Sequence, residues 1–302
     1  MTAQGVTAAS RLRALMRERG MITAPGAYDC IGARLIEQAG FAAVYMTGAG
    51  TAATLGYPDF GLLTMTEMVE NAGRLAAAVT IPVVADADTG YGNELNVVRT
   101  VREYEKRGVA GIHIEDQGFP KRCGHLDNKE IISLEDYLAK IRAAASAKTS
   151  PDFVIIARTD SRASQGLEEA VRRANASLAA GADMAFIEAP QTAEEVAAIP
   201  RLVKGPSLLN VVWGGKTPTL DLAEAERLGF KLAILPGLLF KGAINAFDAL
   251  LQEVKATRRH PVMGATVREV FRRVGADEWE PLRDRFRDAS PAELARRKPA
   301  AE

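Results

Sequence analysis

The chain has 302 residues, 47% of them hydrophobic, with 38 basic and 38 acidic side chains, so it can bury a large core and carries no net charge. That balance excludes nucleic acid as the expected partner, because phosphate binding needs a concentrated basic surface. Two cysteines, Cys30 and Cys123, cannot build a disulfide framework, the opening MTAQGVTAASRLRALMRERG lacks a signal-peptide core, and the apolar runs are too short to cross a membrane, so a cytoplasmic protein is expected.

An amphipathic helix is predicted over 11–19. After it, a short apolar run, a loop and a helical pattern recur eight times. The apolar runs at 21–23, 42–46, 81–85, 111–114, 153–157, 184–187, 207–211 and 231–235 read as strands. The helical patterns fall at 29–38, 64–78, 94–107, 133–147, 167–180, 193–199, 220–228 and 240–255. Eight β-then-α units predict a closed parallel (β/α)8 TIM barrel rather than an open sheet. Such a barrel needs about 250 residues, so one domain is expected, with the barrel over about 20–255 and a helical extension over 256–302. Ser133 before Glu135 and Asp136 marks a helix start, and Gly40, Gly108, Gly181 and Gly229 mark helix ends where a left-handed residue is needed.

Polar groups stand where the predicted strands end: Thr47-Gly48, Asp86-Ala87-Asp88, Glu115-Asp116, Arg158-Thr159-Asp160, Glu188 and Asn210. In a barrel of this kind that rim holds the active site. Three carboxylates on adjacent strand ends, Asp86, Asp88 and Glu115, repel one another unless a cation joins them. Hard oxygen donors without further Cys or His suit Mg²⁺ or Mn²⁺ rather than Zn²⁺. Salt bridges from these acids to Arg158 and Lys121 are the alternative. The Gly/Ala-rich stretch 47–54 contains neither a dinucleotide fingerprint nor a Walker motif. It reads as a short turn offering N–H groups to a carboxylate or oxyanion.

The stretch GIHIEDQGFPKRCGHLDN, 111–128, runs from a strand through Glu115-Asp116 into a basic loop. Lys121, Arg122 and His125 surround Cys123, and neighbouring positive charge lowers a thiol pKa, so a reactive thiolate is expected. The loop 118–128 is expected to close over the site and exclude water. His113, inside the strand, reads as a structural histidine, and Cys30 as a small packed residue.

Lys121-Arg122-Cys123-Gly124-His125 matches the K-[KR]-C-G-H loop of the lyases in the isocitrate lyase/phosphoenolpyruvate mutase superfamily. A second motif of that group stands upstream as Ala85-Asp86-Ala87-Asp88-Thr89-Gly90-Tyr91-Gly92. The chain resembles the superfamily over about residues 20–255. The resemblance implies a Mg²⁺-dependent lyase that cleaves a 2-hydroxy di- or tricarboxylic acid, of the 2-alkylmalate or 2-methylisocitrate type, by reverse aldol chemistry. The same resemblance leaves open a carboxyphosphonoenolpyruvate-type phosphonomutase and an oxaloacetate hydrolase or decarboxylase. It implies Asp86 as a direct metal ligand, with Asp59, Asp88 and Glu115 holding the metal's waters. Cys123 is then the proton donor, tuned by Lys121, Arg122 and His125, and Tyr45 stands near the substrate hydroxyl. Thr47, Gly48 and Ala49 grip the 2-oxo acid half, while Arg158, Glu188 and Asn210 bind the departing half.

Three departures bear on the substrate. Thr47 stands where many of these lyases have Ser, Trp213 where many relatives have Glu, and Gly237 where methylisocitrate lyases carry Leu-Ser. Trp213 is expected to line the pocket and to disfavour a third carboxylate. The tail beyond residue 260 has an apolar set, Val267, Val270, Phe271 and Val274, and another around Trp279, Leu282 and Phe286. In the resembling family the last barrel helix and the tail are exchanged between neighbours, which implies a homotetramer, a dimer of dimers. Beyond about residue 290 a frayed end is expected.

Overall fold

Residues 6–126 and 129–288 are described in the computed structural model. Asp127 and Asn128 of the expected lid, and the end expected to fray, lie outside them.

All eight predicted strands form: β1 (Ile22–Ala27), β2 (Val44–Met46), β3 (Val83–Asp86), β4 (Gly111–Glu115), β5 (Val154–Thr159), β6 (Met184–Ile187), β7 (Ser207–Asn210) and β8 (Leu232–Leu235). They close into one parallel barrel in sequence order, with β8 pairing back to β1 through Ile22 opposite Leu232. Strand side chains alternate between faces, and here they build two cores. Tyr45, Val84, Ile156, Phe186, Leu208 and Ile234 point inward into one buried cluster. Val44, Met46, Val83, Ala85, Ile112, Ile114 and Ile155 point outward and pack against helix residues such as Met68, Leu75, Val97 and Tyr104. Each such aliphatic side chain, fully buried, contributes about 1.5–3 kcal/mol.

Two helices precede the third strand's own helix pair in chain order: α1 (Ala8–Arg17) and α2 (Cys30–Gln38). Helix α1 plugs the barrel floor. Its Leu12 joins the inward cluster, and Arg13 reaches the carbonyls of Asp152 (2.9 Å) and Phe153 (3.0 Å) just before β5. The stretch 47–54, expected as a turn, instead contains a seven-residue helix, α3 (Gly48–Thr54), capped by Thr47, whose Oγ1 accepts from Gly50 N at 3.3 Å. Then follow α4 (Met65–Ala78), α5 (Glu94–Lys106), α6 (Leu134–Ala147), α7 (Arg162–Ala179), α8 (Ala193–Leu202) and α9 (Leu222–Leu228). Helix α7 starts before the predicted 167 and kinks at Gly166. Gly40, Gly108, Gly181 and Gly229 all take the left-handed conformation expected of them.

The barrel unit comprises Thr7–Asn245, and Ala246 begins the segment that packs as a second unit. The helix α10 (Leu238–Thr257) buries none of its residues, although Ile244, Phe247, Leu251 and Val254 are apolar. In the second unit, α11 (Val267–Arg273) and α12 (Ala276–Asp288) carry exposed Val270, Phe271, Trp279 and Phe286. No helix among the described residues is long and apolar enough to cross a membrane.

Candidate active site

The inward alternation carries on past the apolar layer and turns polar. Asp86 follows Val84, Glu115 follows His113, Arg158 follows Ile156, Glu188 follows Phe186 and Asn210 follows Leu208, each two residues on and therefore on the same face. All five side chains are buried at the C-terminal mouth of the barrel. All but Glu115 line a cavity of about 290 Å³ whose walls also include Tyr45, Thr47, Ala49, Asp59, Cys123 and His125. Gly48 backs this wall, because a Cβ there would collide with the Asp86 carboxylate.

The acids are unequally compensated. Lys121 Nζ pairs with Asp59 and, at 2.9 Å, with Asp88 Oδ1, while Arg158 Nη1 lies 3.2 Å from Glu115 Oε2. The salt bridges weighed as the alternative to a metal are thus present. Asp86 has no Lys or Arg partner among the described residues; its Oδ1 accepts from Asp88 N at 3.0 Å and lies 3.6 Å from His113 Nε2. Burial pushes the Asp86 pKa up, but the nearby His113, Lys121 and Arg158 outweigh it and hold the carboxyl below its usual value. Asp88, by contrast, is pushed up to about 6 by burial and by Asp86 and Asp59, against the pull of Lys121. Burial also pushes Glu115 well up, with Arg158 opposing and Asp160 adding to the rise.

Six carboxylates, those of Asp59, Asp86, Asp88, Glu115, Asp160 and Glu188, therefore face three cationic side chains, Lys121, Lys129 and Arg158. The excess of negative charge adds to burial, the larger cause, in raising the pKa values of Asp88 and Glu115. A divalent cation would relieve it. Among the described residues no group of three or more His, Cys, Asp or Glu side chains converges closely enough to hold a bare ion. Both oxygens of buried Glu115 nevertheless lack a hydrogen bond there. An all-oxygen set with one carboxylate that no Lys or Arg pairs with directly, and unsatisfied acceptors behind it, has the chemistry that suits a hydrated Mg²⁺ or Mn²⁺, and Asp86, Asp59, Asp88 and Glu115 are the residues that would hold it.

The Cys123 loop corrects one sequence expectation. Lys121 is turned away into the acid cluster, where burial alone would lower its pKa but Asp88, Asp59 and Glu115 raise it well above the usual value. Arg122 is exposed outside the cavity, and only its backbone is held, by Gln117 at 2.9 and 2.8 Å. The thiol is left facing Asp59 and Glu188. Burial, then those acids, push its pKa to about 11, so Cys123 is a neutral thiol and not the expected thiolate. His125 accepts from Lys216 N at Nδ1 (3.0 Å), which leaves Nε2 as the protonated nitrogen facing Glu188 Oε1 at 3.4 Å. Burial and the nearby Arg158 and Lys129 lower its pKa, against the pull of Glu188.

Arg158 is clamped by acids. Asp160 accepts from Nε at 2.9 Å and Nη2 at 3.1 Å, Glu188 Oε2 lies 3.3 Å from Nη2, and the guanidinium stacks over Phe186 at 5.2 Å. Asn210 Nδ2 donates to Glu188 Oε2 at 3.0 Å, and its buried Oδ1 has no partner among the described residues. Two groups went unassigned from sequence. His113 bonds Tyr45 and so belongs to the site; its signal was its spacing of two from Glu115, on one strand face. Lys129 binds Asp160 at 2.9 Å, and nothing in its sequence surroundings marked it.

Trp213 is the second correction. It is 76% exposed and does not line the cavity, although its loop neighbours Val212, Gly214 and Gly215 do. The far wall is formed by Val212, Gly214, Gly215, Pro236, Gly237 and Phe240, and Lys241 beside them donates to the Trp213 carbonyl.

Comparison with known proteins agrees with this geometry. The phosphoenolpyruvate phosphomutase family model matches residues 12–255. A 2,3-dimethylmalate lyase from Eubacterium barkeri is 51% identical over 229 residues, 76% of this chain and 79% of its own. A crystal structure of 2,3-dimethylmalate lyase superposes with a TM-score of 0.89 at 41% identity, covering 93% of this chain and 96% of that one. A phosphonopyruvate hydrolase solved in complex with oxalate and Mg²⁺ superposes with a TM-score of 0.85 at 31% identity, covering 93% and 99%. With this family match and this barrel, the chain belongs to the isocitrate lyase/phosphoenolpyruvate mutase superfamily of enzymes.

Proposed function

We propose that this protein is a Mg²⁺-dependent carbon–carbon lyase, with Mn²⁺ as the alternative ion, that cleaves a 2-alkylmalate into a 2-oxo acid and a carboxylate. The observation that carries the reading is the pairing, in one cavity, of a half-buried neutral thiol, Cys123, with the hard-oxygen acids Asp59, Asp86 and Glu188. The likeness to 2,3-dimethylmalate lyase supports the same class.

When bound, the metal supplies charge to hold the 2-hydroxy-carboxylate unit and favour loss of the hydroxyl proton. Tyr45, held by His113 at 2.8 Å, is positioned to take a hydrogen bond from that hydroxyl. The N-terminus of α3 offers the N–H groups of Gly48 and Ala49, beside the Thr47 side chain, to the 2-oxo acid carboxylate. The hydroxyl proton passes to the Tyr45 oxygen as Tyr45 gives its own proton to Nε2 of His113. The O–H pair becomes the C2=O bond, the C2–C3 pair passes to C3, and the Cys123 S–H delivers a proton there. A donor must hold its proton at working pH, which the raised Cys123 pKa ensures. Arg158 and Asn210, backed by Glu188, face the departing half.

Substrate size follows from the apolar far wall. A third carboxylate placed against Val212, Pro236 and Phe240 would meet Lys241, whose ammonium already donates to the Trp213 carbonyl, and burial without further partners costs several kcal/mol. An alkyl substituent meets no such penalty. The assembly we infer is a homotetramer with exchanged tail helices, supported by the apolar residues that α10, α11 and α12 leave exposed.

The test is a Mg²⁺-supplemented panel of 2-alkylmalates, 2-methylisocitrate and oxaloacetate, followed by 2-oxo acid or oxalate release. A 2-alkylmalate is expected to give the highest kcat/KM. Preference for 2-methylisocitrate refutes the reading of the wall. Oxalate from oxaloacetate, or a new P–C signal by phosphorus NMR from a phosphonate donor, refutes the lyase itself.

A further inference from the structure

The cysteine loop and the Arg158 guanidinium share one tie point. Lys129 Nζ donates to the Gly124 carbonyl and, at 2.9 Å, to Asp160 Oδ1. Asp160 in turn grips Arg158 through two hydrogen bonds, at 2.9 and 3.1 Å. The Lys129 side chain is 2% exposed and the Asp160 side chain is fully buried, so these charge-assisted bonds act in a medium where water competes little. Gly124 is pressed so closely on Arg158 and Glu188 that a Cβ would collide with both. Nothing in the acid–base chemistry uses Lys129.

We propose that Lys129 is a positioning residue that sets Cys123 and Arg158 in one register by bridging the Gly124 carbonyl and the Asp160 carboxylate. Two consequences follow from the geometry. The Cys123 sulfur is placed by a backbone held one residue away, so losing the bridge lets the thiol drift relative to the substrate carbon it protonates. The Lys129 charge also offsets Asp160, one of three carboxylates around Arg158, and so leaves more of the guanidinium's charge for a substrate carboxylate.

The catalytic half of this proposal rests on the reading of Cys123 as proton donor; the structural half does not, and the experiment separates them. Lys129→Met and Lys129→Gln are prepared in the full-length protein, and thermal melting identifies the variant that folds. Iodoacetamide labelling of Cys123 is then timed by peptide mass spectrometry, with Cys30 as the internal reference thiol. Labelling of Cys123 relative to Cys30 is expected to rise by about tenfold, as a tethered segment opens more often, and kcat to fall by about 10²-fold, the scale of a small misplacement. Unchanged Cys123 labelling in a folded variant overturns the tie, whatever happens to activity. Faster labelling with unchanged kcat overturns the positioning role. If the wild type turns over no candidate substrate, the proposed reaction fails, and the labelling arm still decides the tie.

Discussion

The Tyr45 hydroxyl lies 2.8 Å from Nε2 of His113, and the two rings stack with centroids 5.8 Å apart. Phe186 meets the other side of His113 edge-on at 5.6 Å, so the imidazole cannot tilt without disturbing the barrel interior. Burial drives the His113 pKa down to about 4, against the pull of Asp86, and burial with Asp86 raises that of Tyr45. Both groups are therefore neutral near pH 7. Tyr45→Phe removes the hydroxyl and little volume; kcat is expected to fall by about 10²-fold, with KM and the melting temperature little changed. A rise in KM with kcat unchanged would show that Tyr45 only binds substrate.

Cys123→Ser should bind substrate and turn it over slower by orders of magnitude, because a hydroxyl is a much weaker acid than a thiol. The pH dependence has a definite sign. A group with a pKa of about 11 stays protonated across the working range, so deprotonation of Cys123 imposes no alkaline limb on kcat below about pH 10. Iodoacetamide reacts with the thiolate, so labelling of Cys123 should still be climbing at pH 10. A labelling midpoint near pH 7–8 would restore the thiolate expected from the neighbouring Lys121, Arg122 and His125.

Asp86→Asn keeps the shape of the carboxylate and removes the charge with which no Lys or Arg among the described residues pairs directly. Metal-dependent activity should vanish, and Mg²⁺ should no longer raise the melting temperature as it does in wild type by mass action. Full wild-type activity in excess chelator would rule out the metal.

Light scattering on the wild type at micromolar concentration should give a tetramer. Phe271→Asp with Trp279→Asp, at positions exposed in the single chain, should lower the oligomeric state. A wild-type monomer would contradict the exchange of tail helices.

Much of this was legible in the sequence because it rests on local pattern. Eight apolar runs with polar termini announce the barrel and its rim, and the helix-ending glycines announce themselves by composition. The helix Gly48–Thr54 escaped because Gly and Thr have poor helix propensity, and only the Thr47 cap and the tight approach to Asp86 reveal it. The sign of the Cys123 shift escaped for a different reason. Neighbours in sequence are not neighbours in space: Lys121 points into the acids, Arg122 points to solvent, and the thiol is left with Asp59 and Glu188. Trp213 was misplaced because its side chain is exposed while its loop neighbours line the cavity, and Lys129 was invisible because its partner Asp160 lies 31 residues away.

The most direct test of the central claim is turnover of a 2-alkylmalate with Mg²⁺ in D₂O, with both products followed by proton NMR. If C2–C3 cleaves and Cys123 protonates C3, a 2-oxo acid and a carboxylate appear in equal amounts, and the carboxylate carries a single deuterium at the former C3. Carboxylate without C3 deuterium, or no 2-oxo acid from any 2-alkylmalate in the panel, would contradict the account.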